Sequence, residues 1–157
     1  MQNGMANPNN VGAGAHHYMH ILGIVALGSM WLMMAEAAQK ALADFAGRLE
    51  KANGELKAAT MWFMQNGMAN PNHVGAGAHH YMHILGIVAL GSMWLMMAEA
   101  AQKALAEGRG NKAFLEAKLV TARYFSERFL PDAGSLRRKI EAGSDAMMAL
   151  TPEQFAA

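Results

Sequence analysis

Residues 1–43 and 64–106 carry the same sequence at 42 of 43 positions, at an offset of 63, and the one difference is Asn10 against His73. Each copy contains a stretch with no ionic side chain. Asn7 to Ala35 and Asn70 to Ala98 hold no Asp, Glu, Lys or Arg. Water expels surfaces of this kind, so each stretch must be covered by its own chain, by a partner or by lipid. Nothing in the chain reads as a strand. Strict alternation is absent, and Ala, Leu, Met, Glu and Lys, all good helix formers, dominate. The expected fold class is therefore all-α, an antiparallel helical bundle of about four long helices with short helical turns at the C-terminal end.

Two copies are too few for a solenoid, and the period exceeds that of the usual helical repeats. Old repeats diverge, whereas these have not. Met1 corresponds to Met64, which lies inside a helical pattern, so copy one opens in mid-element. The expectation is a recent or artificial duplication, in a designed, generated or rearranged sequence. The expected organisation is a duplicated segment, residues 1–43, followed by a helical domain, residues 44–157.

Charged residues make up 16% of the chain, against roughly 25% in an average globular protein, and apolar residues 53%. Much of the chain must be buried. The net charge is +1, with basic residues scattered from Lys40 to Lys139. Nucleic acid is not an expected partner, because a dense basic face is missing. The one basic cluster, Arg137-Arg138-Lys139, reads as a solvated helix end. There are no cysteines, which excludes disulfides and thiolate metal sites. No basic residue precedes Lys40, so no secretory signal is expected and the chain is assigned to the cytoplasm. Fifteen methionines make any core adaptable.

"ANPN" at 69–72 is a break, with Pro71 barring helix continuation and Asn70 or Asn72 able to cap the next helix. That helix is predicted to run to Gly108, ended by "EGRGN". Another starts near Asn111. Its buried face is predicted as Leu115, Leu119, Ala122, Phe129, Ala133, Leu136 and Ile140, with Phe125 near the stripe and Pro131 kinking it. Gly143 ends that helix, and Ser144 can cap a short turn. In "TPEQF", Thr151, Pro152 and Gln154 form a capping box.

Trp31, Ala35, Ala38, Leu42, Phe45, Leu49, Ala52, Leu56, Ala59 and Phe63 alternate in steps of four and three. That heptad seam crosses the 43/44 junction without a slip. Gly47 and Gly54 fall at its outermost position, where each costs about 1 kcal/mol relative to Ala without having to break the helix. Two arrangements are open. A continuous helix from about Asn10 to Met68, on the order of 90 Å long, would need another chain to cover its first half. Alternatively the rod breaks near Ala52-Asn53-Gly54 and folds back into a four-helix bundle.

Both uncharged stretches exceed the roughly 20 apolar residues that span a bilayer. Three histidines at one end of each stretch and the lack of basic flanks argue against membrane insertion. All seven histidines lie in the repeat. His16 and His20 are four apart on one helix face, as are His79 and His83. Two such pairs on facing helices would offer four imidazoles to zinc, copper or a haem, if the copies lay side by side and parallel. No carboxylate stands close in sequence to orient the rings. The competing reading is partly buried histidines hydrogen-bonded near a helix start, with Tyr18 and Tyr81 packing beside them. "VGAGAHH" follows no strand, so it is not a dinucleotide loop. No serine has a base and an orienting acid set beside it. Glu36 and Glu99 are single acids on apolar helices and read as surface positions.

From about residue 44 to residue 150 the chain resembles the C-terminal extension of long bacterial acyl-CoA dehydrogenases. The resemblance rests on Tyr81-Met82-His83-Ile84-Leu85-Gly86, Gly91, the "TARYF" of Thr121 to Phe125, Leu130-Pro131 and Ala142-Gly143. It implies a domain that packs against the body of an enzyme or a neighbouring subunit. Flavin binding and the catalytic glutamate of that family belong to core domains that this chain lacks. The expected function is thus a non-catalytic packing and self-association module, a homo-oligomer such as a dimer, with no cofactor. The alternatives are a histidine-based metal or haem-binding bundle, with His16, His20, His79 and His83 as ligands, and an enzyme fragment without its active site.

Overall fold

The computed structural model describes the backbone of residues 8–155, and side chains of residues 21–154 except those of residues 22, 28, 31, 34 and 35. Its helices, in chain order, are α1 Pro8–Asn66, α2 Pro71–Ala106, α3 Lys112–Arg128, α4 Asp132–Glu141 and α5 Pro152–Phe155. No strand occurs among the described residues. The all-α reading holds, and of the two arrangements for the first helix the unbroken one is found. Gly47 and Gly54 lie inside α1, where a Cβ on either would meet nothing within 4 Å. They weaken the helix on its solvent side, and that cost falls short of breaking it.

The chain divides into two compact units, Met1–Lys40 and Ala41–Ala157. The first is described by α1 alone. Its Ile21, Ile24, Val25, Leu27, Met30, Leu32 and Met33 are all exposed.

The second unit is the bundle. Within it the predicted seam turns inward: Phe45, Ala52 and Ala59 are buried, and Leu42, Leu49, Leu56 and Phe63 pack against them. The turn at 67–70 reverses the chain. The Asn70 side chain accepts a hydrogen bond from the Asn72 N–H at 3.1 Å, capping α2, and Pro71 sits in the first turn, where it has no bond to lose. The reversed helix then runs antiparallel to its predecessor. Thr60 and Tyr81 share a hydroxyl–hydroxyl hydrogen bond of 3.0 Å, Phe63 lies over Gly77, and Leu49 lies over Gly91. The two glycines permit this approach. A Cβ on Gly77 would stand 2.7 Å from Phe63 Cζ, and one on Gly91 would stand 2.9 Å from Leu49 Cδ1.

Gly108, with φ of +64°, ends α2: the Arg109 N–H reaches back to the Ala104 carbonyl at 2.8 Å. Asn111 caps α3 by accepting from the Phe114 N–H. Helices α3 and α4 cross α2 and close the core with Ala122, Phe125, Leu130, Ala133 and Ile140. Two details differ from the sequence reading. Pro131 separates two helices instead of kinking one, because α3 ends at Arg128 and α4 begins at Asp132. Phe125, read as lying near the stripe, is buried, whereas Phe129, read as part of it, caps the end of α3 and is exposed. The capping box at Thr151 forms as read. Thr151 N–H donates to Gln154 Oε1 at 2.8 Å, and Gln154 N–H donates to Thr151 Oγ1 at 3.4 Å.

Candidate functional site

A groove of about 910 Å³ opens on the second unit between α2 and the α3–α4 corner. Its floor is apolar, with Ile87 and Leu90 from α2, Phe125 and Phe129 from α3 and its end, and Leu136 from α4. Its rim is polar. His79 and His83 stand on the α2 side, with Asp132, Ser135 and Lys139 on the α4 side. The α4 residues recur at intervals of three and four, so they share one helix face. In the sequence Lys139 reads only as part of a solvated helix end, and Asp132 and Ser135 carry no signal.

The ring centroids of His79 and His83 lie 5.3 Å apart, and His80 lies 5.5 Å from His79. Partial burial, then the nearby charges of Lys139, His79 and His83, hold the His80 imidazole below its ordinary value of 6.5. Among the described residues no group of three or more His, Cys, Asp or Glu is placed to hold a metal ion. His79 and His83 are together; the side chains of His16 and His20 lie outside the described residues. Nor is a nucleophile prepared in the groove. Ser135 Oγ donates to the Asp132 backbone carbonyl at 2.9 Å, an ordinary bond along its own helix. Glu36 and Glu99 are exposed, as read, and Tyr81 is tied to Thr60.

Below the groove, Arg137 joins α4 to α1. Its guanidinium pairs with Glu55 and, at 2.6 Å, with Glu141. The two carboxylates raise the Arg137 pKa above its ordinary value. Helix α2 is long and apolar enough to cross a membrane by composition, yet in this structure its Ile84 and Ile87 lie in the bundle core.

The same sequence meets two environments. Ile84 and Ile87 are 0% and 8% exposed, whereas their counterparts in copy one, Ile21 and Ile24, are each 60% exposed. A family described as acetyl-CoA dehydrogenase C-terminal-like matches the chain twice, over residues 1–46 and 40–151. The chain belongs to this family. The double match follows the duplication, and the longer one spans the bundle up to the start of α5. No curated protein matches the chain.

Proposed function

We propose that this family member is a non-catalytic packing module that associates with copies of itself through the duplicated helix. The observation that carries the reading is the contrast between Ile84 and Ile21. An identical sequence that forms a core in one place is bare in the other. The seven exposed apolar side chains of residues 21–33 present roughly 700 Å², comparable with the roughly 800 Å² that one partner contributes to a stable interface. Because they surround the helix, one neighbouring helix covers only part of them, and a bundle of copy-one helices from two or more chains covers more. A family match to a C-terminal-like domain is compatible with this role. A duplication this exact in sequence is the mark of a recent or engineered rearrangement.

Sedimentation velocity across a range of protein concentrations, with an absorption spectrum of the same sample, tests the reading. Discrete, concentration-dependent oligomers without flavin absorption are expected. A single monomeric boundary at every concentration would sink it, and a yellow protein would point to the enzyme-fragment reading.

The close His79–His83 pair favours a second reading, metal binding by His79 and His83 along the α2 rim, with the His16 and His20 of the sequence reading as further candidate ligands. Zinc titration of the unaltered chain against a variant with all four histidines changed to Ala distinguishes it. Equal weak uptake by both would remove it.

A further inference from the structure

The two copies differ at one residue, and that residue sits at a contact between distant parts of the bundle. His73 lies in the first turn of α2. Its Nδ1 accepts the Ser144 backbone N–H at 3.0 Å and stands 2.9 Å from Ser144 Oγ. Ser144 is only 2% exposed, so its N–H and hydroxyl depend on a protein partner. The ring also packs on Trp62, with centroids 5.6 Å apart. Gly143, with φ of +68°, brings the chain into this position, and a Cβ there would stand 3.0 Å from His73 Nδ1. The start of α2 is thereby latched to the end of α4 by one side chain.

Every other feature of the α2 slot reads both copies alike. The glycines that accept Phe63 and Leu49 and the isoleucines that fill the core are duplicated in copy one, as Gly14, Gly28, Ile21 and Ile24. Position 10 is Asn, whose Oδ1 stands where imidazole Nδ1 does and can accept from Ser144, but whose amide has no ring to pack on Trp62.

We infer that His73 is the residue that assigns copy two to the bundle slot and leaves copy one free to contact other chains. The partner is a second copy of this chain, whose copy one carries a near-identical face and contests the slot. The inference rests on the self-association reading above. Connectivity through the turn at 67–70 also favours copy two, by raising its effective concentration, but that advantage is the same in every variant. The side chain at position 73 or 10 supplies the sequence-dependent part. The ring contact with Trp62, which an amide does not reproduce, corresponds to a preference of about two- to tenfold.

The chain has no cysteines, so occupancy can be read by cross-linking. Thr60→Cys with Tyr81→Cys reports copy two in the slot, through the Thr60–Tyr81 contact. Thr60→Cys with Tyr18→Cys reports copy one there, and a link between chains runs as a covalent dimer on a denaturing gel. Each pair is refolded at high protein concentration and treated with a short bis-maleimide. Asn10→His, which leaves the resident bundle untouched, should raise the Tyr18 cross-linked dimer about threefold or more. Exchanging the two residues, Asn10→His with His73→Asn, should raise it further and lower the Tyr81 link, with helicity by circular dichroism as the folding control. Tyr18 linkage unchanged by Asn10→His overturns the assignment of His73. If oligomers persist in sedimentation alongside that result, self-association stands without the latch. If the chain is monomeric throughout, both fall.

Discussion

Replacing Ile84 by Ala and, separately, Ile21 by Ala removes the same atoms from the same local sequence in two environments. Ile84 has no exposed surface, and it packs in the same core as Phe45, Phe125 and Ile140. Its truncation forfeits the transfer free energy of the whole side chain and leaves a cavity, a cost of about 3–4 kcal/mol. Ile21 is 60% exposed, so truncation there forfeits about 1 kcal/mol of remaining burial. The better helix propensity of Ala returns about 0.4 kcal/mol, for a net loss near roughly 0.5 kcal/mol in an isolated chain. Urea unfolding followed by circular dichroism, at low and at high protein concentration, separates the cases. Ile84→Ala should lower the midpoint at both concentrations. Ile21→Ala should match the unaltered chain when dilute and fall behind it when concentrated, since it then weakens the association that adds to stability. Equal losses for the two variants at every concentration would refute the reasoning, because both copies would then share one environment.

Three further outcomes are expected. Gly86→Ala should stabilise the bundle by up to about 1 kcal/mol, since its Cβ meets nothing within 4 Å, while Gly77→Ala should destabilise it by about 1–3 kcal/mol through contact with Phe63 and Ile140; thermal melts of the two variants should shift in opposite directions. The folded state holds His80 below 6.5, so its contribution to stability is complete above that pH and is lost as pH falls through 6.5 toward the lower folded value; the urea midpoint should decline on acidification over that window, and His80→Gln should flatten the decline. Arg137→Ala leaves Glu55 and Glu141, each about a quarter exposed, without their shared partner, and should cost about 1 kcal/mol, less at high salt; a midpoint indifferent to both the substitution and salt would count against a structural role for this ion pair.

Much of the fold is legible in the sequence because its signals are local. Asn70, Asn111 and Thr151 with Gln154 cap helices through bonds spanning two or three residues. The seam from Leu42 to Phe63 can be read from spacing alone, and it points inward in the bundle. The stripe through α3 and α4 is only half legible. Periodicity assumes one helix, whereas α3 ends at Arg128, so Phe129 falls beyond it and is exposed. The groove is not legible as a site. Its two rims, His79 and His83 on one side and Asp132, Ser135 and Lys139 on the other, come from segments some fifty residues apart.

By itself the sequence determined that the chain is helical, where its caps lie, which faces of residues 42–63 are apolar, and that one rod occurs twice. Tertiary structure decided which of the two rods became core. The 42 shared positions cannot distinguish the two copies. The distinction comes from what each can reach: copy two has residues 44–63 before it and α3 and α4 after it, and His73 meets a serine 71 residues away. Burial is a property of the surroundings a segment finds, so the same isoleucine is sealed at position 84 and wet at position 21.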